Sequence, residues 1–497
     1  MKNKTEAVAS KIALQTWLRP DLTPVGPNKD YAAFRDQLVA IDQLLMQSHL
    51  EAMAMDFARE NWQGNDVARL PQHLEFALKA LRVEVLRMML GMISFRNFSL
   101  TIASSDLLAD FCGARRIDGI KGVSKSVLER ASKFYTAEQV RWMGQVFIEM
   151  CGEADRATEL GLAEAQPMET CLVDSTCVEA NIHYPVDWVL FRDVSRTLLD
   201  AVKLIRAAGL RCRMPMEPEV FAKQMNRFCI AMTHSRRRRD AKQSRKGVLR
   251  QMKRLLRTIG EHARRHRDRL AADYAQTRFS ERQAQRIITR IDAMLAQLPA
   301  AIEQAHERII GERPVPNAKK ILSVYEPDVQ TVVRGKASGE VEFGNTLMIS
   351  ENLTGLITDW QLYQQAAPAE LRQFEASLDR QNRFDLSTPI EAAATDRGFS
   401  SKRLCERLAK DDIYDATCSR DPQKLKQRMQ EPKFAQLQHR RASTEARIAI
   451  LKQRQGKRLR SKGFKNRYLA VAWSVLGHNL WLIARLLADQ PPQAQAA

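Results

Sequence analysis

The chain reads as an α/β or α+β protein whose sheet is interrupted by an all-helical module. Three features carry that reading. An alternating, β-branched segment lies at 169–185, a second strand-rich block lies at 320–360, and the residues between them are almost wholly helical in composition. The 497 residues are 44% hydrophobic and 27% charged, which excludes a disordered chain, a collagen-like repeat and a polytopic membrane protein.

Residues 1–70 open on a Pro/Gly-rich stretch and continue as an N-terminal helical segment. Over 71–165 apolar residues recur at helical spacing, which predicts a compact helical domain, read as DNA-binding only through the helix-turn-helix pattern within it. Within it a short helix at 99–111, a glycine-containing turn and a second helix capped by Ser124 fit a helix-turn-helix. Lys125 and Arg130 would then face DNA. The same pattern fits an ordinary helical hairpin.

The sequence TCLVDSTCVEANIHYP alternates as a strand does, and a helix follows at 192–208. Residues 214–317 form the basic helical insertion. The segments ILSVYE, TVVRGK, VEFGNTLMIS and LTGLITDW then read as three or four strands of a meander. IEAAAT is a short buried strand, 401–410 a helix, IYDATCS a further strand, and the rest is helical. Residues 166–213 and 318–490 together make the α/β core. The 17 residues 468–484 lack any Asp, Glu, Lys or Arg but fall short of the ~20 that span a bilayer. They read as a buried core helix, with no membrane as partner.

The formal charge of +20 is concentrated in two places. Residues 235–270 hold 15 Lys or Arg against three acids, and 452–467 hold eight against none. Their net charges of +12 and +8 account for the whole excess. Such segments suit a polyanion, because each cation set against a phosphate releases a condensed counterion. The Arg236, Arg237, Arg238 and Arg239 run and the tail containing Arg458 and Arg460 are the candidate contacts.

Eight scattered cysteines contain no Cys-x-x-Cys pair, which disfavours a zinc ribbon and suits a reducing cytoplasm. His262 and His266 lack a cysteine pair to complete a site and read as part of the basic helix.

Three acids stand out by context. Asp174 lies inside an apolar strand, where a carboxylate is costly unless it is hydrogen-bonded or coordinates something. Asp396 ends a later strand, the position where open α/β sheets place ligand-binding residues. Glu445 lies on a helix on which Arg441, Glu445, Ile448 and Lys452 would form one face. Singly, each acid reads more readily as structural. Together they supply the oxygen donors that two hard divalent cations take when clamping a phosphodiester.

These residues resemble bacterial insertion-sequence transposases of the DDE class. The matching motifs are VDSTCVEAN around Asp174, GKASGEVEFG at 335–344, TDRGFSS around Asp396, and Arg441-x3-Glu445-x6-Lys452. The resemblance covers 75–210 and 318–488 and departs from the family's Tyr-x2-Arg-x3-Glu-x6-Lys signature at its first position, which is Gln438. It implies an RNase-H-like catalytic domain in which Asp174, Asp396 and Glu445 bind two Mg²⁺, with Mn²⁺ as substitute. It further implies that water and then a DNA 3′-hydroxyl attack in line, with Arg441 and Lys452 on phosphates near the scissile bond. Asp174 and Asp396 are 222 residues apart, a separation that the helical insertion explains. Glu431 and Glu406 are the alternative third acids.

The expected protein is thus a cytoplasmic, nucleoid-associated transposase. It would bind the ends of its element and target duplex DNA, as a homodimer or higher oligomer. A stand-alone nuclease and a non-catalytic DNA-binding regulator are the competing readings.

Overall fold

The computed structural model describes residues 21–64, 66–92, 94–116, 119–120, 123–235, 240–336, 339–384, 386–456 and 458–490. The chain is mixed α/β and mostly helical, and it divides into two compact units, one of residues 1–179 with 345–497 and the other of 180–344.

The first unit opens with helices α1 (Lys29–Gln47), α2 (Leu50–Glu60) and α3 (Leu70–Met89). Two short helices, α4 (Phe95–Ala103) and α5 (Asp106–Phe111), precede an antiparallel hairpin of β1 (Arg115–Arg116) and β2 (Gly119–Ile120). Then come α6 (Lys125–Ala131), α7 (Ala137–Gly152) and α8 (Ala154–Glu159). Ser124 caps α6 as expected, accepting from the Val127 N–H. The connection before it is a hairpin rather than the short turn of a helix-turn-helix. The preceding helix is itself broken at Ser104 and Ser105, where Ser105 starts a new cap on the Leu108 N–H.

The six-stranded sheet has the order β4–β5–β3–β7–β8, with β6 also pairing with β5. Its strands are β3 (Thr170–Glu179), β4 (Gln330–Lys336), β5 (Gly339–Glu351), β6 (Ile357–Leu362), β7 (Ala392–Ala394) and β8 (Tyr414–Asp415). β7 lies parallel to β3 and β8 parallel to β7, whereas β4–β5 and β5–β6 are antiparallel. The meander therefore has three strands. ILSVYE forms no strand and instead buries Leu322 and Val324 from an irregular segment.

Strand alternation gives the sheet two faces. Cys171, Val173 and Ala393 pack with α13 (Glu370–Gln381) and α14 (Lys402–Lys410) through Phe374, Leu378 and Leu404. Leu172, Ala392 and Ala394 pack on Phe434 and Leu437 of α16 (Pro432–Ala442), which follows α15 (Pro422–Arg428). The chain ends in α17 (Thr444–Gln455) and α18 (Phe464–Ala488).

α18 is long and apolar enough to cross a membrane, but 83% of its apolar window is buried in the fold against α1, α3 and α7. Its two central polar residues are fully buried; Asn479 uses both ends of its amide, and His478 bonds through Nε2 while Nδ1 has no partner among the described residues. Asn479 accepts from the Ile357 N–H at 3.0 Å and donates to the Ile357 carbonyl at 2.9 Å, while His478 donates to the Gly355 carbonyl at 3.2 Å. α18 thus supplies side-chain partners to the first residues of β6.

The second unit packs α9 (Asp187–Ala207), α10 (Pro218–His234), α11 (Ala241–Asp273) and α12 (Glu281–Ala305) around one apolar core. It begins at Ala180, so it takes in α9 ahead of the expected start at 214. It also holds β4 and the first residues of β5, which runs through the boundary. His262 and His266 are buried on α11. His266 bonds the His262 carbonyl at 2.8 Å and accepts from the Cys212 N–H at 3.2 Å.

Candidate active site

Asp174 lies on β3, and Asp396 lies just past the C-terminal end of its parallel neighbour β7. The β3–β7 register pairs Leu172 with Ala394, the last residue of β7; Asp174 lies two residues further along β3, and Asp396 two residues past the end of β7. Parallel strands lie about 4.8 Å apart. By alternation the Asp174 carboxylate shares the face of Leu172, which is the face that α16 covers. Asp174 accepts from the Ser175 N–H at 2.6 Å, and Asp396 accepts from the Gly398 N–H at 2.9 Å in a local turn.

α16 is fastened to the strand ends beneath it. Gln438, 8% exposed, donates to the Thr395 carbonyl at 3.1 Å and to the Ala416 carbonyl. Its own carbonyl oxygen accepts from Arg441 Nε at 3.1 Å, which holds the half-buried guanidinium beside the strand bearing Asp396. The residue that departs from the family signature is therefore the tie between this helix and the sheet.

Arg441 and Glu445 do not share one helix. The helix breaks at Ser443, so that Arg441 ends α16 and Glu445 begins α17. The expected continuous face of Arg441, Glu445, Ile448 and Lys452 is interrupted there.

The break is held by Glu351, a fully buried carboxylate at the end of β5. It accepts from Arg440 Nη1 at 3.0 Å and Thr444 Oγ1 at 2.9 Å, and lies 3.4 Å from Arg447 Nε. Burial pushes its carboxyl up, against the pull of Arg440, Thr444 and Arg447. Arg447 also lies against Gly355, whose φ is +94°. That positive φ favours glycine, and a Cβ there would also push the Arg447 guanidinium aside. Sequence reasoning passed over Glu351. A lone acid ending an apolar strand, with its partners some 90 residues away, carries no local signal.

Electrostatics joins the three acids. Burial raises the Asp174 carboxyl above its ordinary range. The charges of Asp396 and Glu445 raise it further, while the Ser175 N–H and Arg441 oppose them. Glu445 itself is exposed. Of the alternative acids, Glu406 pairs with Lys402 at 3.6 Å, and Glu431 accepts from the Tyr414 hydroxyl at 3.1 Å.

The donor set is all oxygen, the kind a hard divalent cation takes. Among the described residues, however, no three His, Cys, Asp or Glu side chains stand close enough together to hold a metal ion as they lie. Asp174 and Asp396 are each turned to a backbone N–H of their own segment, as expected for neighbouring like charges that repel.

The remaining predicted contacts divide. Lys452 is half-buried on α17; Arg460 is exposed; Arg458 is exposed but lies 3.5 Å from Glu179. Two tail cations are withdrawn from the surface. Arg467 is fully buried against Asn345, and burial lowers Arg454 to about 10 as it stacks on Trp481. Lys125 is exposed, and Arg130 lies over the Phe76 ring at 5.6 Å. Arg236, Arg237, Arg238 and Arg239 lie outside the described residues.

No protein-family model matches the chain, and no curated protein or solved structure matches it either.

Proposed function

We propose that the protein is a DNA transposase of the DDE class, with an RNase-H-like core interrupted by the helical unit. The observation that carries this reading is the tie from Gln438 to Thr395 and Arg441, which brings the α16 guanidinium to the strand end that leads into Asp396. Further support comes from the sheet. Asp174 lies on a strand with parallel neighbours to one side, and Asp396 follows the C-terminal end of the adjacent parallel strand.

Asp174, Asp396 and Glu445 would hold the metal. Their carboxylate oxygens are the donors such an ion takes, although as they lie the three do not form a ready-made site. When bound, two Mg²⁺ or Mn²⁺ ions lower the pKa of attacking water and offset charge on the phosphodiester oxygens. Asp174, already costly to ionise where it lies, gains most from a cation placed beside it. Arg441, oriented by Gln438, binds a phosphate oxygen next to the carboxylates, and Lys452 meets the backbone further along α17. Two element ends must be brought together, so the working form is a homodimer or larger, acting on nucleoid DNA.

The test is cleavage and joining of labelled DNA carrying the gene's own flanking sequence, with Mg²⁺ or Mn²⁺, for wild type and Asp396→Asn. End-specific nicks with joined products, both lost in the variant, support the transposase. Nicks without joining identify a nuclease, and binding without cutting identifies a regulator.

A further inference from the structure

We propose that the exposed face of α12 bearing Arg282, Arg286 and Arg290 is a docking surface for the phosphate backbone of duplex DNA. The helical unit holds 33 Lys and Arg against 18 Asp and Glu, a net of +15 out of the chain's +20. Much of its charge is internally neutralised. Arg267 is paired with Asp292, Arg269 with Asp273, Lys246 with Glu312 and Arg313 with Glu307.

The α12 row is different. Arg282, Arg286 and Arg290 recur every fourth residue, all are exposed, and none has an ion-pair partner among the described residues. No Asp or Glu occupies a position three or four residues from any of them. Arg278, exposed just ahead of the helix, extends the row.

Like charges four apart on a helix repel, and no ion pair among the described residues offsets that. A face shaped for solvation alone would place acids at those positions. Four residues rise about 6 Å, so three guanidiniums span about 12 Å of a straight, rigid element. Between them lie Gln285 and Thr289, which leave the face flat and able to hydrogen-bond. It carries none of the exposed large hydrophobics that a membrane-surface helix inserts. Regularly spaced cations without apolar anchors suit a phosphate backbone read without regard to sequence.

This inference rests on the transposase reading for its choice of duplex DNA, and its test is kept separate from chemistry. Binding of the full chain to a duplex of arbitrary sequence is measured in EDTA over a range of salt concentrations. The chain with Arg282→Gln, Arg286→Gln and Arg290→Gln together is compared with wild type. Each phosphate contact contributes about 0.9 to the slope of log K against log salt, so the triple variant should lose about two to three from it. A version carrying Lys at all three positions should keep the slope, which excludes misfolding as the cause. An unchanged slope overturns the proposal. So does a changed sedimentation profile with DNA binding intact, because the face would then be a protein interface. Failure of Asp396→Asn to alter cleavage would count against the transposase reading without moving this slope.

Discussion

Gln438 donates to the carbonyl of Thr395, the residue before Asp396, and its own carbonyl oxygen takes the guanidinium of Arg441. One buried amide thus couples the strand bearing one candidate acid to the helix bearing the candidate phosphate ligand. Replacing it by alanine takes the side-chain donor from the Ala416 carbonyl, leaves the Thr395 carbonyl with the Cys418 N–H, and releases Arg441. The Gln438→Ala variant should lose about 1–3 kcal/mol of stability in a urea titration. It should also bind DNA ends more weakly at equal folded fraction. An unmoved urea midpoint would show the tie to be idle.

Asp174 yields a prediction with a definite sign. Burial, followed by the charges of Asp396 and Glu445, raises its folded pKa. A raised value means that its contribution to stability is complete below the unfolded pKa of about 3.9 and is lost as pH rises through the folded value. At neutral pH the ionised group therefore costs stability. Asp174→Asn should melt above wild type at neutral pH and show no such gain in strong acid. Added Mn²⁺ should raise the wild-type melting temperature and leave that of the variant in place.

Glu351 is the counter-charge to Arg440 and Arg447 on either side of the Ser443 break. Removing one partner of a buried pair costs about 3–5 kcal/mol, because the others remain desolvated. Glu351→Ala should be destabilised by that amount. Glu351→Gln, which can still accept from Thr444, should lose less. Equal melting temperatures for the two variants would contradict the clamp.

His478 is buried neutral, its pKa lowered to about 4 mainly by burial. A depressed base gives stability that is present above about 6.5 and is lost as pH falls toward 4, some 3 kcal/mol in all by linkage. Denaturant titrations of wild type should follow this fall. Those of His478→Gln should start lower and stay flatter over the same range.

Much of this was legible in the sequence. The alternation around Asp174, the short alanine strand before Asp396 and the uncharged C-terminal helix all form where local pattern places them. The reading failed where long-range contacts decide. ILSVYE has strand composition but is used to bury Leu322 and Val324. Arg454 and Arg467 read as surface cations until α18 and the sheet close over them. The break at Ser443 is set by Glu351, 92 residues earlier in the chain.

The most direct measurement of whether Asp174, Asp396 and Glu445 form one centre is single-turnover, metal-dependent cleavage of the flanking DNA. It compares Asp174→Asn, Asp396→Asn and Glu445→Gln with Glu431→Gln as control. A single three-carboxylate centre predicts that the first three each abolish cleavage and joining while still binding DNA, and that the control cuts at the wild-type rate. Wild-type cleavage by any one of the three, or loss of cleavage in the control instead, would contradict it.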